Sequence, residues 1–215
     1  MEIKTLNIPK PDKAIIITVF GIRGSGKSYL TTRIADSITG EDDRMIIFDV
    51  ADEWGGPHVK SYEAYLAFRE KYPKHKAIVI KFDLETPTEV MTETVTEIVK
   101  DVYREGHPTT LIFEEAQIFF PVHGTEPTLQ RLVMIGRHRN ISIVANTQRP
   151  AQVYKGLLSQ SEHVFCGKLF EKNDIQYLSG TIGRQNAETL PKLKDQVFIQ
   201  FTAGNIQENQ VFVKA

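Results

Sequence analysis

The stretch Gly21-Ile22-Arg23-Gly24-Ser25-Gly26-Lys27-Ser28 constrains this chain more than any other. An apolar run, Ala14–Phe20, leads into it, and a stretch of helical character, Lys27–Thr39, leads out and stops at Gly40. Glycines at a strand-to-helix turn let successive backbone N–H groups curl around an anion, and the helix start adds the positive end of its dipole. The spacing G-x-x-x-x-G-K-[ST] is that of a phosphate loop for a nucleoside triphosphate. On this reading Lys27 reaches the β- and γ-phosphates and the Ser28 hydroxyl ligates Mg²⁺. The nucleotide contacts are Gly21, Ile22, Arg23, Gly24, Ser25, Gly26, Lys27, Ser28 and the adjoining Tyr29. A glycine-rich turn matching by chance is the alternative, and the strand–helix context weighs against it.

Further along, apolar runs keep alternating with amphipathic ones. Arg44–Val50, Lys76–Phe82, Thr110–Phe113, Ile141–Ala145 and Glu162–Gly167 read as strands. Ser61–Tyr72 reads as a helix capped by Ser61. Thr86-Pro87-Thr88-Glu89 reads as a capping Thr, a Pro at the first helical position and a Glu at the third, opening a helix that stops at Gly106. Thr128–His138 reads as a helix, with short helical turns near Asn173–Leu178 and Gln185–Leu190. Gln196–Phe201 and Gln207–Val213, joined by Ala203-Gly204-Asn205, read as a hairpin at the sheet edge. Strands alternating with helices predict an α/β fold: one P-loop NTPase domain over 1–215, its core about 14–201, its largely parallel sheet flanked by helices. Ligands of such sheets bind at the carboxyl ends of the strands.

Composition narrows the class. With 26 Lys+Arg and 27 Asp+Glu the net charge is −1, which excludes a histone-like, wholly basic surface but not a local basic strip. The one cysteine, Cys166, cannot form an internal disulfide and reads as a small core residue. The first residues show no apolar segment of a signal peptide, and the longest apolar run, Ala14–Ile22, falls short of the about 20 residues of a membrane span. A reducing, cytoplasm-like compartment follows. The six histidines show no ligand spacing, so no zinc site is expected, and Trp54 reads as a packing residue.

The fourth strand runs Leu111-Ile112-Phe113 into Glu114-Glu115. A hydrophobic strand ending in two acids suits a phosphate loop: the first assists the Mg²⁺ shell, and the second polarises a water for attack on the γ-phosphate. The first position is usually Asp, so Glu114, one methylene longer, acts directly or through a water. Two acids at a strand end could by themselves be merely solvated; the phosphate loop favours the catalytic reading for Glu115. A second acid also implies hydrolysis. The fifth strand ends Asn146-Thr147-Gln148-Arg149-Pro150, where Gln148 could sense the γ-phosphate. From Pro127 to Ser161 there is no acid, while Arg131, Arg137, Arg139, Arg149 and Lys155 bring five positive charges. Such a segment suits phosphate, whether of a neighbour's nucleotide or of a nucleic-acid backbone; a solvated helix face is the plainer account.

Together, GIRGSGKS, FDVADEWG, LIFEEAQ, GRHRNISIVANTQRP and LLSQSEHVFCGKLFEKNDIQYLS resemble the HerA/FtsK superfamily of DNA-pumping ATPases over about residues 14 to 201. The phosphate loop is generic; the TQRP run downstream of the paired acids discriminates. Without extra domains or an anchor, the chain looks most like the genome-packaging ATPases of tailless icosahedral viruses with an internal membrane. The resemblance implies ATP and Mg²⁺ as cofactors and double-stranded DNA, gripped by its backbone, as partner. It implies a homo-oligomeric ring, pentamer or hexamer, docked on a capsid or membrane vertex protein, in the host cytoplasm and on the virion. It matches Lys27 and Ser28 to nucleotide and Mg²⁺ binding, Glu114 to the Mg²⁺ acid, Glu115 to the catalytic base and Gln148 to the sensor. It matches Arg137 to a finger acting in trans, with Arg139 and Arg149 as competitors. Asp49 and Glu53 either contact the site, couple it to DNA or serve a structural role. His123–Glu126 and Arg149–Lys155 are candidate pore loops. The rivals are a HerA-like or conjugation/filamentous-phage assembly ATPase acting on other DNA or protein substrates, a nucleotide-dependent switch or scaffold with little turnover, and a small-molecule kinase.

Overall fold

The computed structural model describes residues 3–6, 8, 11–203 and 211–214. The strands are β1 (Ile3–Thr5), β2 (Ile16–Phe20), β3 (Arg44–Asp49), β4 (His58–Val59), β5 (Ala77–Lys81), β6 (Thr109–Phe113), β7 (Ile141–Thr147), β8 (His163–Cys166), β9 (Val197–Thr202) and β10 (Val211–Lys214). The helices are α1 (Lys27–Ile38), α2 (Tyr62–Lys71), α3 (Thr88–Glu105), α4 (Pro127–Ile135), α5 (Lys155–Ser159), α6 (Lys172–Ile182) and α7 (Arg184–Ala187). The strands form one sheet in the order β1-β10-β9-β8-β2-β7-β6-β3-β5-β4. From β8 to β4 every pairing is parallel. β9 runs antiparallel to β8 and β10 antiparallel to β9, while β1 pairs with β10 in parallel.

The central strands are apolar throughout because both faces are covered. Their side chains alternate between two cores. Ile17, Val19, Ile47, Ile112 and Val144 meet α1 through Leu30, Ile34, Ala35 and Ile38. Ile16, Ile46, Phe48, Leu111, Phe113 and Ile143 face the other way. There they meet Val95, Ile98, Val99 and Val102 of α3 and Leu129, Leu132 and Val133 of α4. A third cluster joins β8 and β9 to Leu178 and Ile182 of α6 and Ala187 of α7. Cys166 lies fully buried in it, and burial pushes its thiol well up.

Several local expectations are met by geometry. The Ser61 hydroxyl accepts from the Ala64 N–H and caps α2, and Gly106 ends α3 in the left-handed conformation. Others are corrected. Thr86 does not cap α3. Its N–H closes a turn onto Asp83 O, and extended Pro87 takes the cap position, so the helix starts at Thr88. The helix expected to reach His138 ends at Ile135 and tightens into a 3-10 turn over Gly136–Arg139. The turn expected at Asn173–Leu178 is the longer α6. The expected hairpin is present as the β9–β10 pairing; its connecting residues Gly204 and Asn205 lie outside the described residues. β1, not the hairpin, is the strand beyond β10. β1 and β4 have three and two residues, too short to show a period of two.

The cores set an order of sensitivity. Ile34→Ala should cost about 2–5 kcal/mol, because its site beneath the sheet has no room to collapse. Ser61→Ala should cost about 1 kcal/mol, the worth of one cap. Urea denaturation of the two variants checks this; a cap loss equal to the core loss would contradict the packing described.

Candidate functional site

The register fixes the site. Phe20, which ends β2, pairs with Thr147 of β7, and Phe113, which ends β6, pairs with Ala145 of β7. The phosphate loop, the Asn146–Arg149 segment and the paired acids therefore emerge side by side on one edge of the sheet.

The loop itself is shaped by glycine. Gly24 and Gly26 have φ of 79° and 92°, a region that favours glycine. A Cβ on Gly21 would stand 2.5 Å from Ser25 Oγ. The Lys27 side chain is buried at the loop. The loop is braced from outside the motif: the Gln196 N–H donates to Ser25 O at 2.8 Å, and its side chain packs against Gly26. Sequence reasoning missed Gln196, since nothing local marks a contact made so far along the chain. Ile22, Arg23, Gly24, Gly26, Lys27, Ser28 and Tyr29 line a cavity of about 270 Å³ together with Glu53 and Gln148. Glycine backbone, a buried lysine and a hydroxyl around such a space fit a triphosphate and its cation.

The two acids part company. Glu115 takes a left-handed φ of 49°, which turns it away from the strand line. Its Oε1 accepts from Gln148 Nε2 at 2.9 Å and its Oε2 from Gln117 Nε2 at 3.1 Å. Gln117 in turn accepts from the Thr147 hydroxyl. The base and the sensor expected from sequence are thus in direct contact. Glu114 points inward and is 1% exposed. Its Oε1 accepts from Trp54 Nε1 at 2.8 Å. Burial pushes its carboxyl above the ordinary carboxylate value, while the hydrogen bonds from Trp54 and Asn146 and the Lys27 charge pull the other way. Trp54, expected only to pack, touches the core and also holds this acid.

Asp49 makes that possible. Almost fully buried, it accepts from the N–H groups of Ala51, Glu53 and Trp54 at 3.1, 3.3 and 2.9 Å. It shapes the loop after β3, and Glu53 in that loop accepts from the Ser28 hydroxyl. Asp49 is structural, whereas Glu53 faces the phosphate loop.

The basic run is one segment in sequence and two places in the fold. Arg137 and Arg139 sit in the 3-10 turn that enters β7, at the amino ends of the strands and opposite the phosphate loop. Arg137 is half-exposed, with Glu162 no nearer than 4.0 Å. Arg139 stacks on Tyr103 at 4.9 Å. Arg149, at the carboxyl end of β7, binds the fully buried Asp174 at 3.1 Å. Of the candidate pore loops, 149–155 is clasped to the stretch just before 123–126: Pro121 and Val153 form a bridge, Val122 N–H donates to Gln152 O at 3.0 Å, and Tyr154 N–H donates to Phe120 O at 2.8 Å.

A raised carboxyl destabilises the fold once it ionises. Without metal or nucleotide, Glu114→Gln should gain on the parent as pH rises above 4.5, the carboxyl's ordinary value, and the gain should level off once the folded carboxyl has ionised. Paired urea titrations across this range test it; a difference that ignores pH would contradict the buried, ionising Glu114.

Solved structures share the fold. The genome packaging NTPase B204 from Sulfolobus turreted icosahedral virus 2, in complex with AMPPCP, superposes with a TM-score of 0.69 at 20% identity, covering 87% of this chain and 92% of that one. VirB4 of Thermoanaerobacter pseudethanolicus gives 0.67 at 12% identity, covering 93% and 88%. At these identities the likeness is one of fold. Protein P9 of Pseudoalteromonas phage PM2 is 29% identical over 154 residues, 70% of this chain and 67% of that protein. Residues 15–174 match the family described as zonular occludens toxin (Zot), and this chain belongs to that family.

Proposed function

We propose that the protein is an ATP-hydrolysing motor that moves double-stranded DNA and packages a viral genome into a preformed capsid. One observation carries the hydrolytic part: Gln148, which lines the phosphate-loop cavity, donates to Glu115 at 2.9 Å. A carboxylate held beside the cavity can take a proton from an attacking water. The amide that holds it can follow the γ-phosphate. Lys27 neutralises phosphate charge, and the loop N–H groups orient it. Mg²⁺, bound through the Ser28 hydroxyl and a carboxylate, would neutralise the charge that develops on the β- and γ-phosphates.

The DNA part rests on the relatives. B204 is described as a genome packaging NTPase, and P9 comes from a phage. No helix among the described residues is long and apolar enough to cross a membrane. A ring of five or six copies on a capsid or membrane vertex protein, in the host cytoplasm and virion, would converge basic residues on duplex backbone. Arg137, half-exposed and opposite its own phosphate loop, is the candidate finger for another copy's site; Arg149 pairs with Asp174 inside its own chain. The candidate pore loops 123–126 and 149–155 lie at the clasp, beyond the ends of β6 and β7, where hydrolysis would move them together.

Steady-state ATPase with and without duplex DNA tests the reading. Turnover should rise with duplex of any sequence, and duplex binding should weaken steeply with salt. Glu115→Gln should lower turnover by about 10²–10⁴-fold while keeping nucleotide affinity. Turnover that ignores DNA in an assembled ring would remove the motor. For the finger, Arg137→Ala subunits should bind nucleotide normally yet, mixed with parent subunits, depress turnover more than their share of the mixture. A strictly proportional fall would leave Arg137 without a role in its neighbour's site.

A further inference from the structure

The loop after β3 is more than a connection. Asp49 fixes it through three backbone N–H groups, so that two consecutive side chains are delivered to opposite tasks. Trp54 turns inward and takes Glu114; Glu53 turns outward and takes the Ser28 hydroxyl. Ser28 is the hydroxyl that would face the cation. Glu53 lines the phosphate-loop cavity and is exposed, whereas Glu114 is buried and does not line it. The extra methylene of Glu114, relative to the usual Asp, is what carries its carboxylate to the Trp54 indole.

Charge points the same way. A triphosphate in this cavity would meet Glu53 at Ser28 and Glu115 at Gln148. Like charges so placed repel unless a divalent cation lies between them. Magnesium takes hard oxygen ligands and keeps several waters, so one hydroxyl and one nearby carboxylate suffice from the protein.

Building on the nucleotide reading above, we propose that Glu53 is the carboxylate that shares the cation with Ser28. Glu114, tied to Trp54, stands behind it and positions the loop. Glu53 is then a cation-binding residue and Trp54 a positioning residue.

The test uses a non-hydrolysable ATP analogue and Mn²⁺, with Mn²⁺ binding read by electron paramagnetic resonance and analogue binding by fluorescence. Trp54 is the sole tryptophan of the chain, so intrinsic tryptophan fluorescence reports this loop alone. Glu53→Gln should weaken Mn²⁺ in the ternary complex about tenfold, equivalent to about 1.4 kcal/mol. It should leave metal-free analogue affinity equal or higher, a split that a merely structural loss would not produce. Glu114→Gln should weaken Mn²⁺ less, yet shift the Trp54 emission before any ligand is added. Unchanged or tighter Mn²⁺ in Glu53→Gln would make Glu53 a mere latch on Ser28 and overturn the proposal. A larger Mn²⁺ loss in Glu114→Gln than in Glu53→Gln would return the role to Glu114 and overturn it equally. A parent protein that binds no analogue, with or without Mn²⁺, would remove the nucleotide reading and this proposal with it. Because Glu53 is exposed, Glu53→Gln should melt with the parent; if it does not, Glu53→Ala read by the same metal-dependent split serves instead.

Discussion

Everything at the site depends on β7 lying between β2 and β6. Backbone pairing on both sides fixes three strand ends to one another without any side chain taking part. The phosphate loop leaves one neighbour and the paired acids leave the other, so a side chain at the end of β7 must stand between them. Gln148 occupies that position, and its bond to Glu115 follows from the register. Helices pack both faces of these strands, so the register cannot slip by one residue without turning Ile143 and Val144 each into the wrong core.

Around that frame the acids are sorted by environment. Glu114 and Glu115 are neighbours in sequence, yet one is buried against an indole and an amide while the other is half-buried among two glutamines. The left-handed turn at Glu115 separates them. Burial raises Glu114 and lessens its tendency to carry charge. An acid in that position suits a steadying role better than a mobile one, whereas Glu53 lines the cavity and Glu115 is held by Gln148 at its border.

The features legible in the sequence are those whose cause is local. The phosphate loop is a run of eight residues whose glycines are needed on the spot, and two of them take left-handed backbone there. Ser61 caps its helix through an N–H three residues away, and Gly106 ends another helix. The acids after β6 and the polar run after β7 follow from strand ends that apolar runs announce. The misses come from contacts that span the chain. Nothing near Gln196 says that its N–H will hold Ser25, and nothing near Trp54 says that its indole will hold Glu114. At α3 the helix starts one residue later than a Thr86 cap allows: Pro87 takes the cap position, and the Thr86 backbone belongs to a turn closed on Asp83 O. The arginines misled in another way: one acid-free run in sequence is split by β7 between the two ends of the sheet, so a shared charge does not mean a shared surface.

That split bears on how work could leave the site. Between Glu115 and Phe120 the chain winds tightly, with Phe119 and Phe120 fully buried against the sheet. Immediately beyond, Phe120, Pro121 and Val122 are bonded to Gln152, Val153 and Tyr154. The stretch on the other side of the clasp begins at Arg149, whose N–H is bound to Thr147 and whose guanidinium is bound to Asp174 on α6. The buried phenylalanines anchor one end of the clasp and the Arg149–Asp174 pair anchors the other. On the proposed reading, segments anchored at both ends beside Glu115 and Gln148 would turn a small change at one carboxylate into a shift of the surface that they carry.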